Sequence, residues 1–197
     1  MIAYGWRIDF MDEMLRKIIA NLVDSRVIVW SIDDSRRLYR EGFYGKPVEV
    51  RKPKDASFSC PLELSLFEAL YLVEKGKIIV VDSDGNEISY ESLLKIAREN
   101  YSLFDDIYHV YKDLRDKGYV VRPGIKFGAD FAVYEYGPGI DHAPFLVEVL
   151  PIKSSLDPIE IVRAGRLSHS VRKKFIIATT DPVTKRITYY MFKWFKA

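Results

Sequence analysis

Between two apolar runs, Phe145–Leu150 and Phe175–Thr180, the sequence writes the start of a helix. Asp157 supplies a capping carboxylate, Pro158 suits the first turn, and Glu160 stands at the third helical position. The spacing predicts a helix to about Lys173, flanked by those two runs as strands, with Ile187–Phe195 as a last strand. Upstream, Leu103, Phe104, Ile107, Tyr111 and Leu114 share one helical face, and Gly118 ends it. Tyr119–Arg122 follows as a strand, Pro123-Gly124 as a turn, and Asp130–Tyr134 alternates as a strand. Phe131 and Val133 then share one face, and Asp130, Ala132 and Tyr134 the other. Helix, strands, helix, strands is the order of an α/β layer built on a mixed sheet.

The first half also reads as mixed α and β. Met11–Val23 carries apolar residues at helical period, and Val27–Ile32 is a β-branched strand. Tyr39–Ser57, with Arg40, Lys46, Arg51, Lys52 and Lys54, reads as a hairpin plus a long exposed basic loop. Pro61 suits a helix start and Gly76 its end. Lys77–Val81 is a strand, Asp84-Gly85 a turn, and Ser89 caps a helix through Glu99. We therefore expect an α/β (α+β) fold of two small mixed domains. Residues 1–98 form the first, with basic loop 39–57. Residues 99–197 form the second, a mixed sheet flanked by helices.

Composition narrows the classes. The chain has 197 residues, 48% of them hydrophobic, enough for a sizeable core. No apolar run reaches the length of a transmembrane helix, and the N-terminus carries no signal-peptide pattern. The single cysteine, Cys60, excludes an internal disulfide and a cysteine-based zinc site. Together these predict a cytoplasmic protein. A net charge of +2 argues little for a polyanion partner, but Arg36–Lys54 and Arg163–Lys174 are locally basic.

Three polar groups stand out near the second half's turns. Tyr134 closes an alternating run, and Gly137-Pro138-Gly139 follows. His142 then stands in a loop where packing does not call for imidazole. Lys173 arrives at the end of the helix pattern. Tyr134 taken alone is equally a core tyrosine with a surface hydroxyl. Arg166, His169, Ser170 and Lys173 are spaced i, i+3, i+4, i+7, a cationic stripe about 10 Å long. It reads either as a rail for phosphates or as a solvated face, and the solvated face is favoured from pattern alone. His169 rivals His142, while His109 belongs to a helix surface.

These residues sit in segments that resemble a known family. DLRDKGYVVRPGIKFGADFAVYEYGP, HAPFLVEV and RLSHSVRKK are similar to the archaeal tRNA-intron splicing endonucleases, catalytic subunit. LSLFEALYLVEKGKI, Leu64 to Ile78, resembles their N-terminal domain. The resemblance implies a restriction-endonuclease-like second domain with a catalytic triad of Tyr134, His142 and Lys173. It implies that Arg166 and Trp194 clasp a bulged base, for which a guanidinium and an indole offer flat faces. It also implies cleavage of precursor tRNA at bulge-helix-bulge junctions without metal or other cofactor, leaving 2′,3′-cyclic phosphate and 5′-hydroxyl ends. Tyr134 would be general base, His142 general acid, and Lys173 the stabiliser of phosphate charge. A phenol ionises near 10, so Lys173 is also expected to lower its pKa.

In the family an acidic loop of one subunit inserts into a neighbour. The matching turn here, Thr180–Lys185, holds one acid and a lysine. That implies a borrowed loop from a second, noncatalytic subunit, in a heterotetramer of two plus two, with the tail Ile187–Phe195 pairing along an edge. Some archaeal branches carry a substrate-touching insertion in the first domain, which makes Lys46 a candidate RNA contact. Two rivals remain: a noncatalytic RNA-binding or assembly subunit, and a metal-dependent nuclease using Asp130 and Glu148, which lacks the usual lysine two residues on, where Leu150 stands.

Overall fold

The structure, a computed structural model, describes residues 17–51, 53, 55–159, 161–162, 165–166 and 173–192. The chain divides into two compact units that part between Asn100 and Tyr101, residues 53–55 grouping with the second. Each is a mixed sheet with helices. Among the described residues no helix is long and apolar enough to cross a membrane.

In the first unit the strands are β1 (Ile18–Val23), β2 (Arg26–Val29), β3 (Lys46–Pro47), β4 (Leu62–Leu64) and β5 (Ile78–Val81). They lie in the order β3-β4-β2-β1-β5. Of these neighbouring pairs β1–β5 is parallel and the others are antiparallel. The helices are α1 (Ile32–Gly42), α2 (Leu66–Glu74) and α3 (Tyr90–Asn100).

The helix expected over Met11–Val23 is corrected from Ile18 onward, and residues 11–16 lie outside the described residues. Ile18–Val23 is the strand next to β5, with Ile18 and Ala20 buried between neighbours. Ile19 and Val23 put apolar side chains on the exposed face as well, so residue type does not alternate along the strand and a helical period fits by coincidence.

Helix α1 replaces the end of the expected strand Val27–Ile32 and the start of the expected hairpin. Ser31 caps it by accepting the Asp34 amide at 3.3 Å, and Asp33 and Asp34 complement the positive end of its dipole. Arg40 thus belongs to a helix, not to the basic loop.

Pro61 likewise precedes β4, and α2 begins at Leu66. Ser65 and Glu68 form a capping box there: the Glu68 amide donates to Ser65 Oγ, and Glu68 Oε2 accepts the Ser65 amide at 2.9 Å. The other oxygen of this buried carboxylate accepts the Gly45 amide at 2.8 Å. Gly45 has φ +71°, and a Cβ there would stand 2.6 Å from a Leu62 side-chain carbon, so only glycine fits beside β4.

The second unit opens with α4 (Phe104–Asp116), which packs Tyr111 at a tilt against Phe131 with ring centroids 5.8 Å apart. Its sheet runs β10-β9-β8-β7-β6. The strands are β6 (Val120–Pro123), β7 (Phe131–Tyr134), β8 (Phe145–Pro151), β9 (Lys174–Thr180) and β10 (Ile187–Phe192). The β8–β9 pair is parallel and the others antiparallel. A parallel pair requires a long crossover, and residues 152–173 supply it. Residues 158, 159, 161, 162, 165 and 166 are helical, started by Asp157, whose carboxylate accepts the Ile159 amide at 2.8 Å. Lys173 is not helical as expected; it is the residue before β9.

Candidate active site

Strand register gathers the site. Val133 of β7 pairs with Phe145 of β8, and Phe145 pairs with Lys174 of β9. The next residue after Val133 is Tyr134, the residues before Phe145 run back through Ala143 to His142, and the residue before Lys174 is Lys173. Three adjacent strands therefore present these groups at one end of the sheet. The Lys174 amide donates to the Pro144 carbonyl at 2.8 Å, closing the β8 and β9 entries on each other.

Below them lies a cluster of Ala129, Ala132, Ala143, Leu146, Phe175 and Ile177, with Phe127 and Tyr134 packed against it. The Tyr134 ring is thus half-buried against this cluster. The Lys173 ammonium donates to the Ala143 carbonyl at 2.6 Å and stands 5.3 Å from the centroid of the Phe127 ring. A 3-10 turn, Ile125–Phe127, carries that ring, and the turn leaves β6 through Gly124, where a Cβ would meet the Ala129 carbonyl at 2.7 Å. His142 is exposed, one residue from the carbonyl that Lys173 holds.

Burial pushes the Tyr134 phenol above its ordinary pKa; the Arg122 guanidinium opposes the rise and the Asp141 carboxylate adds to it. Burial lowers Lys173, and Asp141 partly restores it. A cation that acts on Tyr134 is Arg122, a residue the sequence did not single out. Arg122 pairs with Ala132 across β6 and β7, so it shares the face of Ala132 and Tyr134. The Lys173 ammonium is instead directed at the Ala143 carbonyl.

Two family models match the chain: tRNA intron endonuclease, catalytic C-terminal domain, over residues 104–189, and its N-terminal domain over residues 18–94. The chain is 49% identical to a tRNA-splicing endonuclease of Hyperthermus butylicus over 183 residues, 93% of this chain and 99% of the relative. It is 48% identical to one of Saccharolobus solfataricus over 178 residues, 90% and 98% of the two chains. The chain belongs to the tRNA intron endonuclease family. It carries both of the family's domains and is an endoribonuclease.

Within this endonuclease the remaining candidate residues scatter. Arg166 is helical and exposed. Trp194, His169 and Ser170 lie outside the described residues. Lys46 is exposed in the first unit, in β3, paired with Glu63. His109 sits on α4 with Nε2 2.9 Å from the Lys185 carbonyl oxygen, so its imidazole ties α4 to the turn before β10. Asp130 accepts the Val149 amide at 2.8 Å, and burial raises its pKa. Among the described residues no three of His, Cys, Asp or Glu form a metal-holding group.

Sequence reasoning missed Arg122 and Asp141. An aspartate after a glycine-rich loop is a residue type that bonds its own backbone, so Asp141 left a weak signal. Nothing marked Arg122, whose relation to Tyr134 exists only through register.

Proposed function

We propose that this endonuclease cuts precursor tRNA at bulge-helix-bulge exon–intron junctions by an attack that needs only its own side chains. Tyr134, as tyrosinate, takes the proton of the 2′-hydroxyl beside the cleavage site. The 2′-oxygen bonds to the adjacent phosphorus, and the bond from phosphorus to the 5′-oxygen breaks. His142, as imidazolium, gives its proton to that 5′-oxygen. Lys173 stabilises the charge gathering on the nonbridging oxygens. The products are a 2′,3′-cyclic phosphate and a 5′-hydroxyl, and proton exchange with water resets both groups.

The single observation that carries this reading is the register Val133–Phe145–Lys174, with Lys173 bonded to the carbonyl beside His142. Arg166 would hold an unstacked bulge base, with Trp194 as its partner, and the A-form duplex would set the distance between the two cuts. Two cuts need two sites, and we assign them to a twofold assembly with a second, noncatalytic subunit. The turn Thr180–Lys185 supports that choice: its one acid, Asp181, accepts the amides of Val183 at 2.8 Å and Thr184 at 3.2 Å, so the carboxylate is spent shaping its own turn.

The test is cleavage of an end-labelled bulged precursor, with the chain alone and mixed with a candidate second subunit, in excess chelator. Cyclic phosphate ends that disappear in Tyr134→Phe, His142→Ala and Lys173→Ala support the reading. Cleavage that stops with chelator, or survives all three substitutions, defeats it. A stable, active homodimer of the lone chain defeats the two-plus-two assembly.

A further inference from the structure

The loop joining Tyr134 to His142 is built around one carboxylate. Asp141 accepts the amides of Glu135 at 3.1 Å and Tyr136 at 3.3 Å on one oxygen, and that of Gly137 at 2.7 Å on the other. The backbone answers in the opposite sense: the amides of Ile140 and Asp141 donate to the Gly137 carbonyl at 3.1 and 3.0 Å. Successive amides turned toward one point make a nest for an anion. Here the chain fills its own nest.

Packing does little to hold this loop, since Glu135 is exposed and Tyr136 and Ile140 are each 68% exposed. The carboxylate bonds fix its course, together with the two amides on the Gly137 carbonyl. Its two ends are Tyr134, set in β7, and Asp141, peptide-bonded to His142. We propose that Asp141 is a positioning residue for RNA cleavage, which fixes the spacing of the Tyr134 phenol and the His142 imidazole by gathering the three amides between them. This rests on the assignment of Tyr134 and His142 as base and acid. The same carboxylate disfavours ionisation of Tyr134 and favours the charged form of Lys173, so it lies among these groups and not apart from them. A displacement of about 1 Å between reacting groups costs on the order of 100-fold in rate.

The experiment is single-turnover cleavage of a labelled bulged precursor by the full chain, with any second subunit its activity requires, alongside RNA affinity. The variants are Asp141→Ala, Asp141→Asn, Tyr134→Phe, His142→Ala and the double variant Asp141→Ala with His142→Ala. Asp141→Ala should cleave roughly 100-fold more slowly at unchanged affinity. Asp141→Asn, which keeps one acceptor and tests the loop without emptying it, should fall between. Because Asp141 acts through His142, the double variant should be no slower than His142→Ala. Hydrogen exchange at the amides of residues 135–137 should quicken in Asp141→Ala. Wild-type cleavage by Asp141→Ala, a loss confined to RNA affinity, or full additivity in the double variant overturns the proposal. In those cases near-inactive Tyr134→Phe and His142→Ala leave the acid–base assignment standing. Normal cleavage by those two variants instead removes the assignment itself, and the proposal with it.

Discussion

Lys173 and Ala143 are joined by a 2.6 Å bond from ammonium to carbonyl, although 30 positions separate them in the chain. The bond aims a partly desolvated cation beside the residue that follows His142. If Lys173 steadies the phosphate, its loss removes one charged donor at the place where charge develops, an effect worth ~100- to 1000-fold in rate. Lys173→Ala should show that loss in single-turnover cleavage while its thermal midpoint stays near wild type. Lys173→Arg should also be impaired, because a planar fork does not replace a point charge bonded to one carbonyl and seated against the Phe127 ring.

Arg122 should tune the base. The Tyr134 phenol is raised by burial, and Arg122 is the positive charge that pulls it back. Removing that charge raises the phenol further. At any pH below the phenol's pKa the tyrosinate fraction then falls, and the alkaline limb of the rate profile moves upward. Arg122→Ala should cleave more slowly at neutral pH, roughly tenfold if the limb moves by about one pH unit. Arg122→Lys, which keeps the charge, should lie close to wild type. An unmoved alkaline limb in Arg122→Ala would detach Arg122 from Tyr134.

Why was this pair invisible in the sequence while Tyr134, His142 and Lys173 were not? The three stand out one by one, a tyrosine closing a strand, a histidine after a glycine-rich loop and a lysine at the end of a helix pattern, and the family resemblance supplies their roles. Arg122 gains meaning only when β6 slides into register with β7. The same limit explains β1: Ile18–Val23 takes its identity from pairing with β5, which no local period encodes. Helix α1 is a different case. Its Ser31 cap and first-turn Asp33 and Asp34 are local signals, overridden by reading the β-branched run Val27–Ile32 as one strand.

Asp130 tests the metal-dependent alternative and the fold together. Burial raises its pKa, and its bond to the Val149 amide works against that rise. A carboxyl whose folded pKa is raised contributes fully below its unfolded value and loses that contribution as pH climbs through the folded one. Asp130→Asn keeps an acceptor for Val149 without a buried charge, so its stability at neutral pH should equal or exceed wild type and vary less with pH in denaturant melts. Asp130→Ala strands the amide and should cost about 1–3 kcal/mol. Cleavage by Asp130→Asn should be unchanged, whereas a nuclease using this carboxylate to hold metal would be dead.

Tyr189 should set an alkaline limit to stability. Its hydroxyl donates to Asp113 at 2.6 Å, linking β10 to α4, and burial together with that carboxylate pushes its pKa far above the ordinary value. Below the ordinary tyrosine value near 10 both the folded and unfolded states are protonated, and the bond contributes in full. Above it the unfolded chain ionises while the folded one does not, and stability falls. Tyr189→Phe should lose roughly 1.5–3 kcal/mol at neutral pH and show a shallower decline between about pH 9 and 11.

Lys46 offers a test of RNA contact in the first unit. Glycine at 45 lets the chain pass against Leu62, and the Glu68 carboxylate holds the Gly45 amide, so the residue that follows is presented from a fixed backbone. If its ammonium meets a phosphate, that contact releases about one counterion. Lys46→Ala should then weaken precursor binding across sequences and reduce the salt slope of the binding constant by about one. The rate of the bound complex should not change, because nothing in this contact differs between ground state and transition state. An unchanged salt slope would remove Lys46 from the interface, and Glu68→Ala, which frees the Gly45 amide, should imitate the Lys46 loss in affinity only if the fixed backbone matters.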